Sequence, residues 1–366
     1  MLDRREFLKA GTAASVIAAM PGKVFADPAF APRPGAWRTF EITTRIELSG
    51  TEGSGRAWVP LPGFSASDWN RSETSTVTTN AASARVMHGA PDDADMLLVE
   101  WKAGRGAPAV EIISHVATRD RAMDLSRPGS PTPLMSAERA RYLAGSRFVP
   151  VDGIVEETSN RIVGRITNEV EKARLLYEWV VANTYRNPAT RGCGSGDVAA
   201  MLRSGDLGGK CADLNALYVG LARAAGLPAR DIYGLRVAPS NFGYKSLGAN
   251  NEIVTKAQHC RAEVYLSDFG WVPVDPADVR KMMLEEVKSG LGADDPKVVA
   301  ARETLFGAWE GNWIAYNDAR DVTLPNSSGP ALAFLMYPQA EVASVRLDCL
   351  EPDAFKYSIR SREITI

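Results

Sequence analysis

The chain has 366 residues, 45% of them hydrophobic, and its 42 Lys and Arg nearly balance 44 Asp and Glu for a formal net charge of −2. Such a length allows two or three domains around well-buried cores, while the charge balance excludes the basic footprint of a nucleic-acid-binding protein. Three histidines (His88, His115, His259) and four cysteines (Cys193, Cys211, Cys260, Cys349) without a C-x-x-C pair exclude a zinc site of ordinary spacing, so no cofactor or metal is expected. A cluster of Cys193, Cys211, His259 and Cys260 would offer zinc ligands in principle, as a minor alternative.

Residues 1–26 read as an address. DRREFLK places Arg4 and Arg5 before Phe7, Leu8 and Lys9, which resembles a twin-arginine export signal. A mildly apolar segment, Ala10 to Met20, and the small-residue ending Val24-Phe25-Ala26 complete it. The expectation is a periplasmic protein, cleaved near Ala26, with the twin-arginine export machinery as a partner. After residue 26 no internal repeat, low-complexity tract or apolar run of membrane-spanning length occurs.

Residues 27–118 carry strand signals. WRTFEITTRIEL alternates Phe40, Ile42 and Thr44 with Glu41, Thr43 and Arg45, the pattern of a sheet with one wet face. RAWVPLPG, MLLVEWKA and AVEIISHVAT are further β-rich runs between Gly, Pro and Asp turns, and predict an antiparallel sandwich. His115 falls within a strand and His88 within a turn, so both read as structural. Residues 119–150, centred on PGSPTP, read as a linker.

A core domain is expected over 151–284. TNEVEKARLLYEWVVANT repeats apolar residues at helical spacing, capped by Thr167 or Asn168. A Gly-, Pro- and Asn-rich loop follows, then a short helix at 198–203. GGKCADLNALYVGLARAAGLP comes next, with Leu214, Leu217, Tyr218 and Leu221 on one helical face, and Gly226 and Pro228 to end it. Cys211 therefore opens a helix, where orphan N–H groups and the dipole favour a thiolate. RDIYGLRVAP reads as a strand.

QHCRAEVYL then alternates His259, Arg261, Glu263 and Tyr265 with the apolar Cys260, Ala262, Val264 and Leu266. This strand directs His259 away from the face of Cys260. WVPVDP reads as the return strand. A connection from Leu266 to Gly270 sets Asp275 opposite Arg261 and diagonal to His259, within reach of its imidazole. Thiol, imidazole and carboxylate so placed form a nucleophile, base and orienter set: Cys211, His259 and Asp275.

GGKCADLNALYVGLARAAGLPAR, HCRAEVYL and GWVPVDP together are similar to the transglutaminase-like core of the papain-related cysteine enzymes, over roughly residues 160–280. More loosely, the whole resembles exported bacterial members that carry a β-domain before the core. The resemblance implies an α+β fold, with a Cys-bearing helix on an antiparallel sheet, and implies that Cys211, His259 and Asp275 are the triad. Many relatives have an aromatic residue just after the histidine, where this chain has Cys260 and Arg261.

The expected activity is hydrolysis of an amide or peptide bond through a thioester, on a peptide or protein substrate. Acyl transfer of the transglutaminase type and a non-catalytic binding module are the alternatives. The oxyanion needs a donor beyond the Cys211 amide, from Tyr185 or Asn187. Residues 285–366 are expected to form an extension packed on the core, beginning with the charged helix LEEVKSGLGADDPKVVAARETLFG. Trp309, Trp313 and Tyr316 there either wall the groove or pack the extension down. With one cysteine free for catalysis, the remaining three cannot all pair.

Overall fold

The computed structural model describes residues 30–49, 54–88, 94–104 and 106–365. The export segment expected at 1–26 lies outside them. Strands fill the first third: β1 (Arg38–Glu47), β2 (Gly55–Pro60), β3 (Asn70–Thr79), β4 (Ser83–Met87), β5 (Met96–Trp101) and β6 (Ala109–Thr118). Then come β7 (Arg121–Ala122), α1 (Ser136–Leu143), α2 (Ile154–Val163), α3 (Glu169–Asn183), β8 (Tyr185–Arg186), α4 (Val198–Ser204), β9 (Gly208–Gly209) and α5 (Cys211–Ala224). Next are β10 (Ala229–Arg236), a 3-10 turn at Lys245–Leu247, β11 (Gln258–Leu266), β12 (Gly270–Val274), α6 (Pro276–Glu285) and α7 (Pro296–Thr304). The chain ends with β13 (Ala308–Trp309), β14 (Trp313–Asn317), β15 (Arg320–Val322), β16 (Leu332–Phe334), β17 (Gln339–Val342), β18 (Val345–Arg346), α8 (Pro352–Phe355) and β19 (Tyr357–Ile364).

Two antiparallel sheets, in the orders β19-β1-β6-β3 and β18-β17-β2-β5-β4, make the β-rich part. Phe40, Ile42, Thr44 and Ile46 of β1 are buried while Arg45 and Glu47 are exposed, as the alternation predicts. Phe40, Ile46, Val59, Val99 and Ile112 meet in one apolar cluster between the sheets. β3 and β4 were not predicted, because NRSETSTVTT and SARVM hold few apolar residues and their outward positions are exposed. Their β-branched Thr and Val suit a pleated surface without any hydrophobic period.

The tail differs from expectation. β14 joins the core sheet beside β10, but β19 pairs with β1 and β17 with β2, so the end of the chain completes the sandwich. The charged stretch expected as one helix is broken between Glu285 and Pro296, with Gly290 at φ 73°. Residues 119–150 are a docked segment: β7 pairs with β13, and the buried Arg121 guanidinium bonds the Glu263 carboxylate. Among the described residues no helix is long and apolar enough to cross a membrane.

The core is the antiparallel sheet β12-β11-β10-β14 with α5 against it. Asn168 caps α3, its side chain accepting from Glu171 N at 2.9 Å. The sequence pattern gave α5 one apolar face, yet every residue from Cys211 to Arg223 is buried. Leu214, Leu217 and Leu221 have no solvent exposure, and burial of each contributes about 1.5–3 kcal/mol. The charged and amide side chains on α5 are tolerated because they are bonded: Arg223 Nε donates to Ala229 O and Asn215 Nδ2 to Cys260 O, each at 2.8 Å, whereas the buried Tyr218 hydroxyl has no partner among the described residues.

Candidate active site

Cys211 is the first residue of α5, and the turn before it is held by one carboxylate. Asp213 accepts backbone N–H bonds from Lys210 at 3.0 Å and from Ser195 and Gly196 at 2.9 Å each. Gly209 and Gly194 make room for it, since a Cβ at either would overlap the carboxylate, and Gly194 has φ 97°. Ala212 N donates to Cys193 O at 2.8 Å. The loop around Cys193 is thereby fastened to the start of the helix.

β11 and β12 pair in the register Leu266↔Gly270 through Ala262↔Val274, the register expected from the sequence. Asp275 follows at the end of β12 and caps α6, accepting from Asp278 N at 3.1 Å, with Pro276 at the first helical position. Its Oδ2 lies 2.8 Å from His259 Nε2. With Nε2 so engaged, Nδ1 is the ring nitrogen left for the thiol. Asn215, one turn into α5, donates to Cys260 O at 2.8 Å and to Asp275 Oδ1 at 3.3 Å. Trp313 Nε1 donates to His259 O at 2.9 Å, which braces the strand from behind.

The structure thus brings Cys211, His259 and Asp275 together. Cys211 and His259 line one cavity of about 380 Å³, and Asp275 is fully buried behind the imidazole. The neighbouring Cys193 and Cys260 thiols lower the Cys211 thiol, burial opposes them, and His259 lowers it further, so that it falls well below the ordinary range; the Cys193 thiol also donates to Gln258 O at 3.3 Å. Proximity to Cys211, with burial, pushes Cys193 well up, and burial followed by the same proximity does so for Cys260. Burial and Arg236 disfavour the charged imidazole of His259, but Asp278 and Asp275 outweigh them and its pKa rises. The arrangement favours a thiolate beside an imidazolium.

Among the described residues, His259, Asp275 and Asp278 place one ligand atom each within 4.8 Å of the others, and no cysteine joins them. The Arg236 guanidinium already holds the Asp278 oxygen, so this cluster is balanced by a cation of the protein. The thiols of Cys193, Cys211 and Cys260 are free, as is Cys349.

Neither Tyr185 nor Asn187 lines the cavity. Tyr185 OH bonds Asp206 at 2.8 Å and Asn187 Oδ1 accepts from Ala189 N at 2.9 Å. Alternation along β8 presents Arg186 to the cavity instead. Gln258 also lines it: this residue is 8% exposed, and its Nε2 has no hydrogen-bond partner among the described residues. Trp309, Trp313 and Tyr316 are buried away from the cavity, whose far wall is Tyr337, Leu350, Pro352 and Tyr357. Cys260 and Arg261, which stand where many relatives have an aromatic residue, are buried too. His88 and His115 lie elsewhere, facing Asp95 and Glu41.

A family model described as the transglutaminase-like superfamily matches residues 156–276, the stretch that runs from α2 to the start of α6. An uncharacterized protein of Haemophilus influenzae is 36% identical over 343 residues, covering 89% of this chain and 91% of its own. The chain belongs to the transglutaminase-like superfamily. A crystal structure of a candidate cysteine protease from Cytophaga hutchinsonii shares the fold, with a TM-score of 0.50 at 15% identity, over 90% of this chain and 99% of that one. Within this superfamily member, the sequence did not signal Gln258 or Arg186 as site residues. The alternation of β8 was the one clue, and two residues are too few for a periodicity to be read.

Proposed function

We propose that this superfamily member is an exported cysteine hydrolase of amide or peptide bonds, with Cys211 as nucleophile, His259 as proton carrier and Asp275 as its orienting carboxylate. The observation that carries the reading is the 2.8 Å His259–Asp275 pair, on the same cavity as a thiol whose surroundings favour its ionised form. The Cys211 thiolate attacks the carbonyl carbon, forming a C–S bond and moving an electron pair onto oxygen. That oxyanion takes the Cys211 amide, an orphan donor of the first helical turn, and the Gln258 carboxamide as its second donor. The intermediate collapses, the C–N bond breaks, and His259 gives its proton to the leaving amine. Water then attacks the thioester as His259 takes a proton from it, releasing a carboxylic acid and the thiolate. Residues 1–26 supply the export signal and support a periplasmic location.

The test is mass spectrometry of a peptide library incubated with the mature protein, with and without a primary amine. New peptide termini or a deamidated side chain support hydrolysis. Incorporation of the amine in preference to water moves the reading to acyl transfer. No covalent change in any peptide, together with a Cys211 no more alkylated by iodoacetamide than Cys193, leaves a binding module.

A further inference from the structure

We infer that the acyl donor is an acidic peptide, whose carboxylate seats on the basic wall of the cavity beside Cys211. This rests on the reading of Cys211 as nucleophile. Among the described residues, the cavity is lined by the cations Arg186, Lys210, Arg236, Lys256 and Lys281, and by no Asp or Glu. In a chain of net charge −2, composition does not account for that concentration.

The cations differ in how far the protein already satisfies them. Arg236 is held by Asp278, and Arg186 by Glu285 at 2.5 Å. Lys281 lies 3.8 Å from the same Glu285 and donates to Ser246 O at 2.5 Å. Lys210 and Lys256 have no carboxylate partner among the described residues, and they stand on opposite sides of the thiol in sequence, one before α5 and one before β11. Asp278, Glu285 and the single net negative charge of Cys211, His259 and Asp275 together leave the wall positive. The charged side chains of this wall are therefore all donors, and they favour an acceptor carrying negative charge.

Thioester chemistry narrows the class. The thiolate needs an acyl carbon, so the anion belongs to a molecule that also carries one. A cavity of about 380 Å³ lies at the small end of ligand pockets, which admits one or two residues of a peptide. A Glu, an Asp or a free C-terminal carboxylate next to the scissile carbonyl meets these conditions.

Two alkylating reagents of nearly equal size test this on the mature full-length protein: anionic iodoacetate and neutral iodoacetamide, with glutathione as the reference thiol. The expected result is an iodoacetate-to-iodoacetamide rate ratio at Cys211 about tenfold or more above that of glutathione, shrinking at high salt. In the double variant Lys210→Gln, Lys256→Gln the ratio falls toward that of glutathione. Lys256→Gln alone, at an exposed position, shows the same trend with smaller amplitude should the double variant misfold. Peptide pairs that differ by Glu or Gln beside the scissile amide give the matching preference for Glu. A glutathione-like, salt-insensitive ratio at a Cys211 that both reagents alkylate fast overturns the acidic-substrate inference and leaves the nucleophile standing. Slow alkylation of Cys211 by both reagents overturns both readings.

Discussion

Burial by itself raises a thiol's pKa, and Cys211 is 3% exposed, yet its thiol is pushed well down. Two neighbouring thiols that keep their protons and one imidazole that gains one account for the reversal. The sign of the pH dependence follows. Thiolate appears as pH rises through a Cys211 value below the ordinary one, and the imidazolium disappears as pH rises through a His259 value above the ordinary one. Alkylation of Cys211 should therefore stay fast at pH values where an ordinary thiol slows about tenfold per unit, and hydrolysis should trace a bell with its acid limb set by the thiol; rates measured across pH check both. Asp275 has two duties, capping α6 and fixing His259, which one substitution separates. Asn caps a helix as well as Asp does, so Asp275→Asn should retain most of the thermal stability that Asp275→Ala loses. Its turnover should nonetheless fall by roughly 10³–10⁴, the scale expected when the orienting carboxylate of a triad is lost. Gln258→Ala should lower kcat by about 10²–10³ with little change in KM, the signature of an oxyanion donor; steady-state kinetics on any cleaved peptide decides it.

α5 shows how one element is both core and site. Its apolar residues anchor the helix between β11 and the helices α2 and α3, which fixes Cys211 in space without help from the loop before it. The loop is then tied on by Asp213, whose carboxylate satisfies three backbone donors. Asp213→Ala leaves those donors short of an acceptor, and should destabilise the protein by about 2–4 kcal/mol. Thermal melting measures that loss, and Cys211 alkylation should slow in the same variant as the Cys193 loop loosens. Strand alternation governs β8 in the same way. Asn187 N bonds Gly209 O at 2.9 Å, which continues the pairing with β9 and turns Tyr185 outward and Arg186 inward. Trp313 is apolar mass for the core and, through its indole N–H, a brace on the backbone of His259.

At the scale of the whole molecule, the sandwich is closed by the last strands of the chain. β1 and β2 would otherwise present open edges, a known aggregation hazard; β19 and β17 cover them. Between these strands the tail also delivers Leu350 and Pro352 to the cavity wall, and β19 opens with Tyr357 on the same wall. A chain ended after residue 338 should lose the cooperative thermal transition, monitored by circular dichroism, and collect in aggregates on gel filtration. Loss of the site without loss of the sandwich is not expected, because Leu235, Val237 and Ile314 of the core strands and their flanks share an apolar cluster with Phe40 and Ile112.

Local chemistry was legible in the sequence wherever a residue's role depended on its near neighbours. The helix opened by Cys211, the alternation around His259 and the two-strand register that sets Asp275 all follow from 3.6- and 2-residue periods and from one short turn. Those residues also carried the family resemblance. What the sequence left out depends on partners far along the chain. The pairing of Tyr357–Ile364 with Arg38–Glu47 has no local trace. Nor has the approach of Cys193 and Cys260 to Cys211, or the gathering of Lys210, Lys256 and Lys281 on one wall. Periodicity tells a side chain which face it is on, but what covers that face is decided by packing, and in this protein the packing of α5, β11 and the returning tail decides the chemistry of the thiol.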